Sequence, residues 1–148
     1  MTDDTRGRMV GRTHHFPVRV YYADTDAGGM VYHAVYLNYA ERARTEMMRL
    51  IGFDHIGLYK RHGILIGVRA AELDYLRPAL LDDLLEMRSE LEELGGASMR
   101  LRQDVWRADQ EIARISIRLA FIGADGRPAR IPEDMRAAVQ EFVTAEAI

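Results

Sequence analysis

With 148 residues, a net charge of −3 and a pI near 5.9, the chain fits one domain around one core, burying roughly 68–70% of the surface its unfolded form exposes. This charge balance argues against nucleic-acid binding through a general basic surface, because the 19 arginines and the single lysine, Lys60, are spread along the chain rather than clustered. Zero cysteines exclude a disulfide, a thiolate zinc site and a cysteine nucleophile.

Residues 1–15, MTDDTRGRMVGRTHH, lack an apolar run of signal-peptide length and are expected to form a mobile N-terminal tail, with a single domain over 16–148. No apolar run is long enough to span a bilayer, so the expectation is a cytoplasmic protein without a transmembrane segment. Phe16 to Tyr22 reads as a strand that delivers Asp24 and Asp26 to the turn Asp26-Ala27-Gly28-Gly29. From Ala34 to Ile51, the residues Tyr36, Ala40, Ala43, Met47, Leu50 and Ile51 recur at spacings of three and four, which predicts an amphipathic helix about 27 Å long. Gly52 supplies its left-handed stop.

A short helical or irregular stretch over 54–62 precedes four extended segments, Leu65–Leu76, Asp83–Glu93, Ala97–Arg107 and Glu111–Gly123. Gly95-Gly96 and Ala108-Asp109-Gln110 read as hairpin connections, so these strands are expected to be consecutive and antiparallel. A C-terminal helix is expected within Ile131–Val143, after Pro132. The result is an α+β fold, an antiparallel five- or six-stranded sheet wrapped around one long central helix.

The stretch YYADTDAGGMVYHAVY, Tyr21 to Tyr36, concentrates the groups that carry chemistry: a carboxylate, an imidazole, phenols and a helix N-terminus. These are the ingredients of a hydrolytic or acyl-transfer site, in which a nucleophile, or a base that activates water, acts beside a carbonyl carbon, and a carboxylate serves either way. Asp26 also has a purely local reading, a side chain closing its own turn. Reading Asp24-Thr25-Asp26 as a phosphatase nucleophile pair or a metal-binding DxD conflicts with the absence of an alternating βαβ pattern. His55 and His62 lack matched ligand spacing, so no metal is expected.

VRVYYADTDAGGMVYHAVYLNYAERART, with its dense core D-T-D-x-x-G-x-V-Y-H-x-x-Y-L, resembles the hotdog-fold acyl-CoA thioesterases of the 4-hydroxybenzoyl-CoA thioesterase superfamily, particularly the Tol-Pal-associated branch. The resemblance covers residues 16 to 135, and Val35 departs from it where many relatives carry asparagine. It implies Asp26 as the catalytic carboxylate, with nucleophilic and general-base roles both open. It further implies His33 as the residue that orients water or assists proton transfer, and Tyr22 as a third active-site group. Tyr32 is expected to wall the substrate channel, Gly28 and Gly29 to leave room for a pantetheine arm, and the N–H groups at His33 and Ala34 to polarise the thioester oxygen. Glu41 and Glu46, on the helix, are reserve candidates for the carboxylate.

The function so implied is hydrolysis of an acyl-CoA thioester to a free carboxylic acid and CoA, with no cofactor. A homodimer built by joining two sheets, assembling to a homotetramer, is implied as well. The alternative is an acyl-group or scaffold protein of lipid metabolism that binds acyl carrier protein without turnover.

Overall fold

A computed structural model describes residues 5–144. In chain order the elements are β1 (Arg8–Val10), β2 (Thr13–Arg19), a 3-10 turn (Tyr22–Asp24), α1 (Val35–Ile51), α2 (His55–His62), β3 (Leu65–Tyr75), β4 (Leu84–Leu94), β5 (Ser98–Arg107), β6 (Gln110–Ile122) and α3 (Glu133–Gln140). The strands form one antiparallel sheet in the order β1-β2-β4-β5-β6-β3, the hotdog arrangement of a sheet wrapped around α1.

Helix α1 buries Tyr36, Tyr39, Ala40, Ala43, Met47 and Met48 against the sheet. Alternation on the strands supplies the opposite wall, with Leu85, Met87 and Leu91 from β4, Met99, Leu101 and Val105 from β5, and Ile115, Ile117 and Phe121 from β6. The small Ala40 and Ala43, both fully buried, let the helix backbone approach the sheet. At that crossing the amide of the fully buried Gln103 donates to the Ala40 carbonyl at 2.8 Å and to Ser89 Oγ at 3.0 Å. The other sheet face alternates charge: Arg88 stacks 4.4 Å from the Trp106 ring centre, and Arg102 pairs with Asp104 at 2.8 Å.

Three expectations are corrected. Arg8–His15 is not a mobile tail, because β1 and β2 are paired and β2 is hydrogen-bonded to β4. The polar THH segment holds a strand position because its side chains find partners: Thr13 Oγ1 donates to Glu90 at 3.0 Å, His15 Nδ1 lies 2.8 Å from Glu86, and His14 is fully buried. Residues 1–4 and 145–148 lie outside the described residues. The strand expected over Phe16–Tyr22 ends at Arg19, and Asp24 sits in a 3-10 turn rather than on a strand. The third correction is topological. β4, β5 and β6 are consecutive hairpin neighbours, but β3 crosses to the far side and pairs with β6, Leu65 facing Ile122 and Tyr75 facing Ala113.

Candidate active site

The chain between β2 and α1 is folded around two aspartates. Asp26 closes a tight turn: its backbone N–H donates to the Met30 carbonyl at 2.9 Å, its carbonyl accepts from Gly29 N–H at 3.0 Å, and its Oδ1 accepts from Gly28 N–H at 2.9 Å. Gly29, at φ +79°, occupies the left-handed region that this turn requires. Asp26 is exposed, and its second oxygen, Oδ2, has no protein partner among the described residues. Asp24 does different work. Its Oδ2 accepts from the Tyr39 hydroxyl at 2.8 Å and from Tyr21 N–H at 2.9 Å, tying the 3-10 turn to α1. Burial and the neighbouring Asp24 carboxylate push the Tyr39 phenol well above its ordinary value.

Two aspartates two positions apart therefore do different work: one oxygen of Asp24 takes two donors and ties the turn to α1, whereas the Asp26 carboxylate accepts a single bond within its own turn and lies exposed. The same loop carries the chain into α1. Tyr32 N–H donates to the Asp24 carbonyl at 2.9 Å, and Val35 N–H donates to the Tyr32 carbonyl at 2.9 Å. Ala34 is the N-cap residue and supplies no side-chain cap, and the His33 and Ala34 N–H groups have no backbone acceptor among the described residues. These donors carry the positive end of the helix dipole.

Asp26 and His33 meet in an open cleft of about 370 Å³, lined also by Met30, Val31, Tyr36, Tyr75, Leu76, Arg77 and Pro78. The Tyr75 hydroxyl donates to the His33 carbonyl at 2.8 Å, anchoring the helix entrance to the end of β3. The Tyr75 ring packs edge-on against Tyr36, centroids 5.4 Å apart. Desolvation raises the pKa of both phenols above the ordinary value.

Of the sequence-predicted site residues, Asp26 and His33 share this cleft, and Ala34 is next in the chain after His33. Tyr32 flanks it, half-exposed, with its ring 4.4 Å from the His33 ring. Gly28 holds the Asp26 carboxylate, and a Cβ there would stand 3.2 Å from Oδ1. Tyr22 is on the 3-10 turn, 82% exposed, outside the residues lining the cleft. Of the reserve carboxylates, Glu46 pairs with Arg49 at 3.0 Å, and Glu41 lines a separate cavity. Tyr36, Tyr75 and Arg77 were not predicted as site residues. The signal for Tyr75 and Arg77 is the strand-ending Tyr75-Leu76-Arg77-Pro78, where a phenol and a guanidinium stand just before a proline, and that for Tyr36 is its place in the first turn of α1. Among the described residues, no group of three or more His, Asp or Glu side chains forms a metal site, and no helix is long and apolar enough to cross a membrane.

The chain is 37% identical over 131 residues to the acyl-CoA thioesterase YbgC of Haemophilus influenzae, covering 88% of this chain and 96% of that one. It is 43% identical over 97 residues to the acyl-CoA thioester hydrolase YbgC of Escherichia coli, covering 66% of this chain and 72% of that one. The crystal structure of a probable thioesterase from Bartonella henselae superposes with a TM-score of 0.78 at 35% identity, covering 81% of this chain and 99% of that one. The family described as the thioesterase-like superfamily matches residues 20–139, a span that contains the Asp26 turn, the uncapped start of α1 and the whole cleft between them, and the chain belongs to that family.

Proposed function

We infer that this protein hydrolyses an acyl-CoA thioester, releasing a carboxylic acid and CoA, with chemistry centred on Asp26. The observation that carries this reading is the convergence, in one cleft, of a carboxylate with a free oxygen, an imidazole and an uncapped helix N-terminus. The names of the Haemophilus and Escherichia relatives support the substrate class.

A thioester carbonyl seated at the start of α1 has its developing negative charge next to backbone N–H donors that need no reorganisation. Asp26 Oδ2 then acts in one of two ways. It takes a proton from a water that adds to the carbonyl carbon, or it adds to that carbon itself and the resulting anhydride is opened by water. Either route breaks the C–S bond, and the thiolate of CoA leaves and takes up a proton. His33 orients the water or supplies that proton. The Gly28 N–H bond to Oδ1 fixes the carboxylate so that Oδ2 faces the reactant.

A second copy of the chain at the β3 edge fits this reading. The outer edge of the eleven-residue β3 has no strand partner among the described residues, and Leu65, Val68 and Tyr75 along it are half-exposed or more. The test is release of CoA from short, long and aromatic acyl-CoAs, read with a thiol reagent to which a cysteine-free protein adds no signal. Loss of release in Asp26→Asn upholds the reading; saturable binding of acyl-CoA or acyl carrier protein with no hydrolysis by wild type replaces it with a binding role.

A further inference from the structure

The loop that carries Asp26 is a small closed hairpin, and Asp24 stands at its base. Thr25 and Val31 face each other as an antiparallel bridge, with the bond from Asp26 N–H to the Met30 carbonyl inside it. Just outside the bridge, the Asp24 carbonyl accepts from Tyr32 N–H at 2.9 Å and closes the loop. Each arm of the loop is then attached to α1. On the outgoing arm, Val35 N–H donates to the Tyr32 carbonyl at 2.9 Å. On the incoming arm, which leads into Asp26, the Tyr39 hydroxyl donates to Asp24 Oδ2 at 2.8 Å.

Both ends of that last bond are held. Asp24 also donates its own N–H to the Tyr21 carbonyl at 2.9 Å, and its Oδ2 accepts from Tyr21 N–H at 2.9 Å. Tyr39 is buried in the core, its ring edge-on to that of Tyr36, so its hydroxyl has little freedom to move. Burial and the Asp24 carboxylate hold the Tyr39 phenol above its ordinary value, which keeps the hydroxyl a donor at neutral pH. The bond therefore links the loop that carries the carboxylate to the helix whose start carries the open N–H donors. Those two halves have to meet at one carbonyl group, and a misplacement of about 1 Å costs on the order of 10²-fold in rate. Neither Asp24 nor Tyr39 is among the residues that line the cleft.

We propose that, on the reading that Asp26 carries out hydrolysis, Asp24 and Tyr39 are positioning residues whose hydrogen bond sets the Asp26 carboxylate against the His33 and Ala34 N–H donors. Asp24 serves as an acceptor and not as a charge, because its work is done by one oxygen that takes two donors.

Steady-state release of CoA from an acyl-CoA tests it, using wild type, Tyr39→Phe, Asp24→Asn, Asp24→Leu, and Tyr39→Phe combined with Asp26→Asn. Tyr39→Phe keeps the buried ring and removes only the donor; its kcat should fall roughly tenfold or more while KM stays within about twofold. Asparagine at position 24 retains an oxygen that accepts both bonds, so Asp24→Asn should stay within about threefold of wild type, and Asp24→Leu should fall at least as far as Tyr39→Phe. With Asp26→Asn already in place there is no carboxylate left to aim, so adding Tyr39→Phe should lower the residual rate by less than about twofold, whereas general damage to the fold would repeat its full cost there. The proposal is overturned if Tyr39→Phe or Asp24→Leu keeps the wild-type kcat, if the loss lies in KM, if it recurs in full beside Asp26→Asn, or if Asp24→Asn falls as far as Asp24→Leu. Should Asp24→Leu fail to fold, Tyr39→Phe and its combination with Asp26→Asn decide the matter. No release of CoA by wild type defeats the hydrolytic reading and this proposal together; release with an undiminished Tyr39→Phe defeats this proposal alone.

Discussion

The two ends of α1 are finished in opposite ways. At the C-terminus, Gly52 turns left-handed at φ +116°, its N–H reaches the carbonyls of Met48 and Arg49, and Phe53 N–H adds a bond to Met48 at 2.8 Å. At the N-terminus, Ala34 offers no cap, and among the described residues two N–H groups and one oxygen of the Asp26 carboxylate have no partner. One end is closed for stability. The other leaves its donors available, which is what a site that stabilises developing negative charge requires. The contrast teaches that an unsatisfied helix end gains meaning from its neighbours, here Asp26 and His33 in one cleft.

Asp26→Asn separates the two helix ends most sharply. Asparagine keeps an Oδ1 acceptor for Gly28 N–H, so the turn survives, while the base or nucleophile is gone. Turnover should fall by about 10²–10⁴-fold with the melting temperature essentially unchanged; near-normal CoA release would remove Asp26 from the reaction. At the closed end, Gly52→Ala should do the reverse. An alanine Cβ there meets nothing within 4 Å, so its cost is backbone strain alone, about 1–2 kcal/mol. The melting temperature should drop by roughly 2–8 °C, while kcat measured on folded protein stays put.

A smaller effect belongs to Tyr75→Phe, which frees the His33 carbonyl from its 2.8 Å anchor. A hydrogen bond of about 1 kcal/mol corresponds to roughly a fivefold fall in kcat, with KM little affected. A KM change with constant kcat would instead assign Tyr75 to substrate binding. The mildest effect is on alkaline stability. Tyr39 has its phenol pKa raised by burial and by Asp24, so folded protein keeps the proton after the unfolded chain begins to lose it. Below the ordinary value of 10.0 both states are protonated and stability is at its full level; above it, stability declines as pH rises. Chemical denaturation across pH 8–11 should show that decline, and Tyr39→Phe should flatten it.

Local pattern made much of this legible. The three-and-four spacing of Tyr36, Ala40, Ala43 and Met47 with the stop at Gly52 set α1 within a residue of its bounds, and the alternation from Ala113 to Phe121 marked β6. The Asp26-to-His33 interval was legible because turn chemistry and helix start lie within one short segment. What escaped depends on distant partners. THH carries no apolar alternation, and it is a strand because β4 lies beside it with Glu86 and Glu90 in position. Tyr22 reads as a strand aromatic beside Asp26, but the chain curls into a 3-10 turn that exposes it. Tyr75 joins the cleft only because β3 crosses to β6, bringing the end of that strand under the helix entrance.

That crossover also orders events during synthesis. β3 is complete at Tyr75, but the strand it pairs with is not finished until Ile122. At roughly 5–20 residues per second, β3 spends on the order of seconds as a nascent segment without its neighbour. The helix entrance and its carboxylate are made first, and the wall that completes the cleft closes last. A ribosome that stalls between β5 and β6 would therefore present Leu65, Val68 and Tyr75 to chaperones with neither edge of their strand covered.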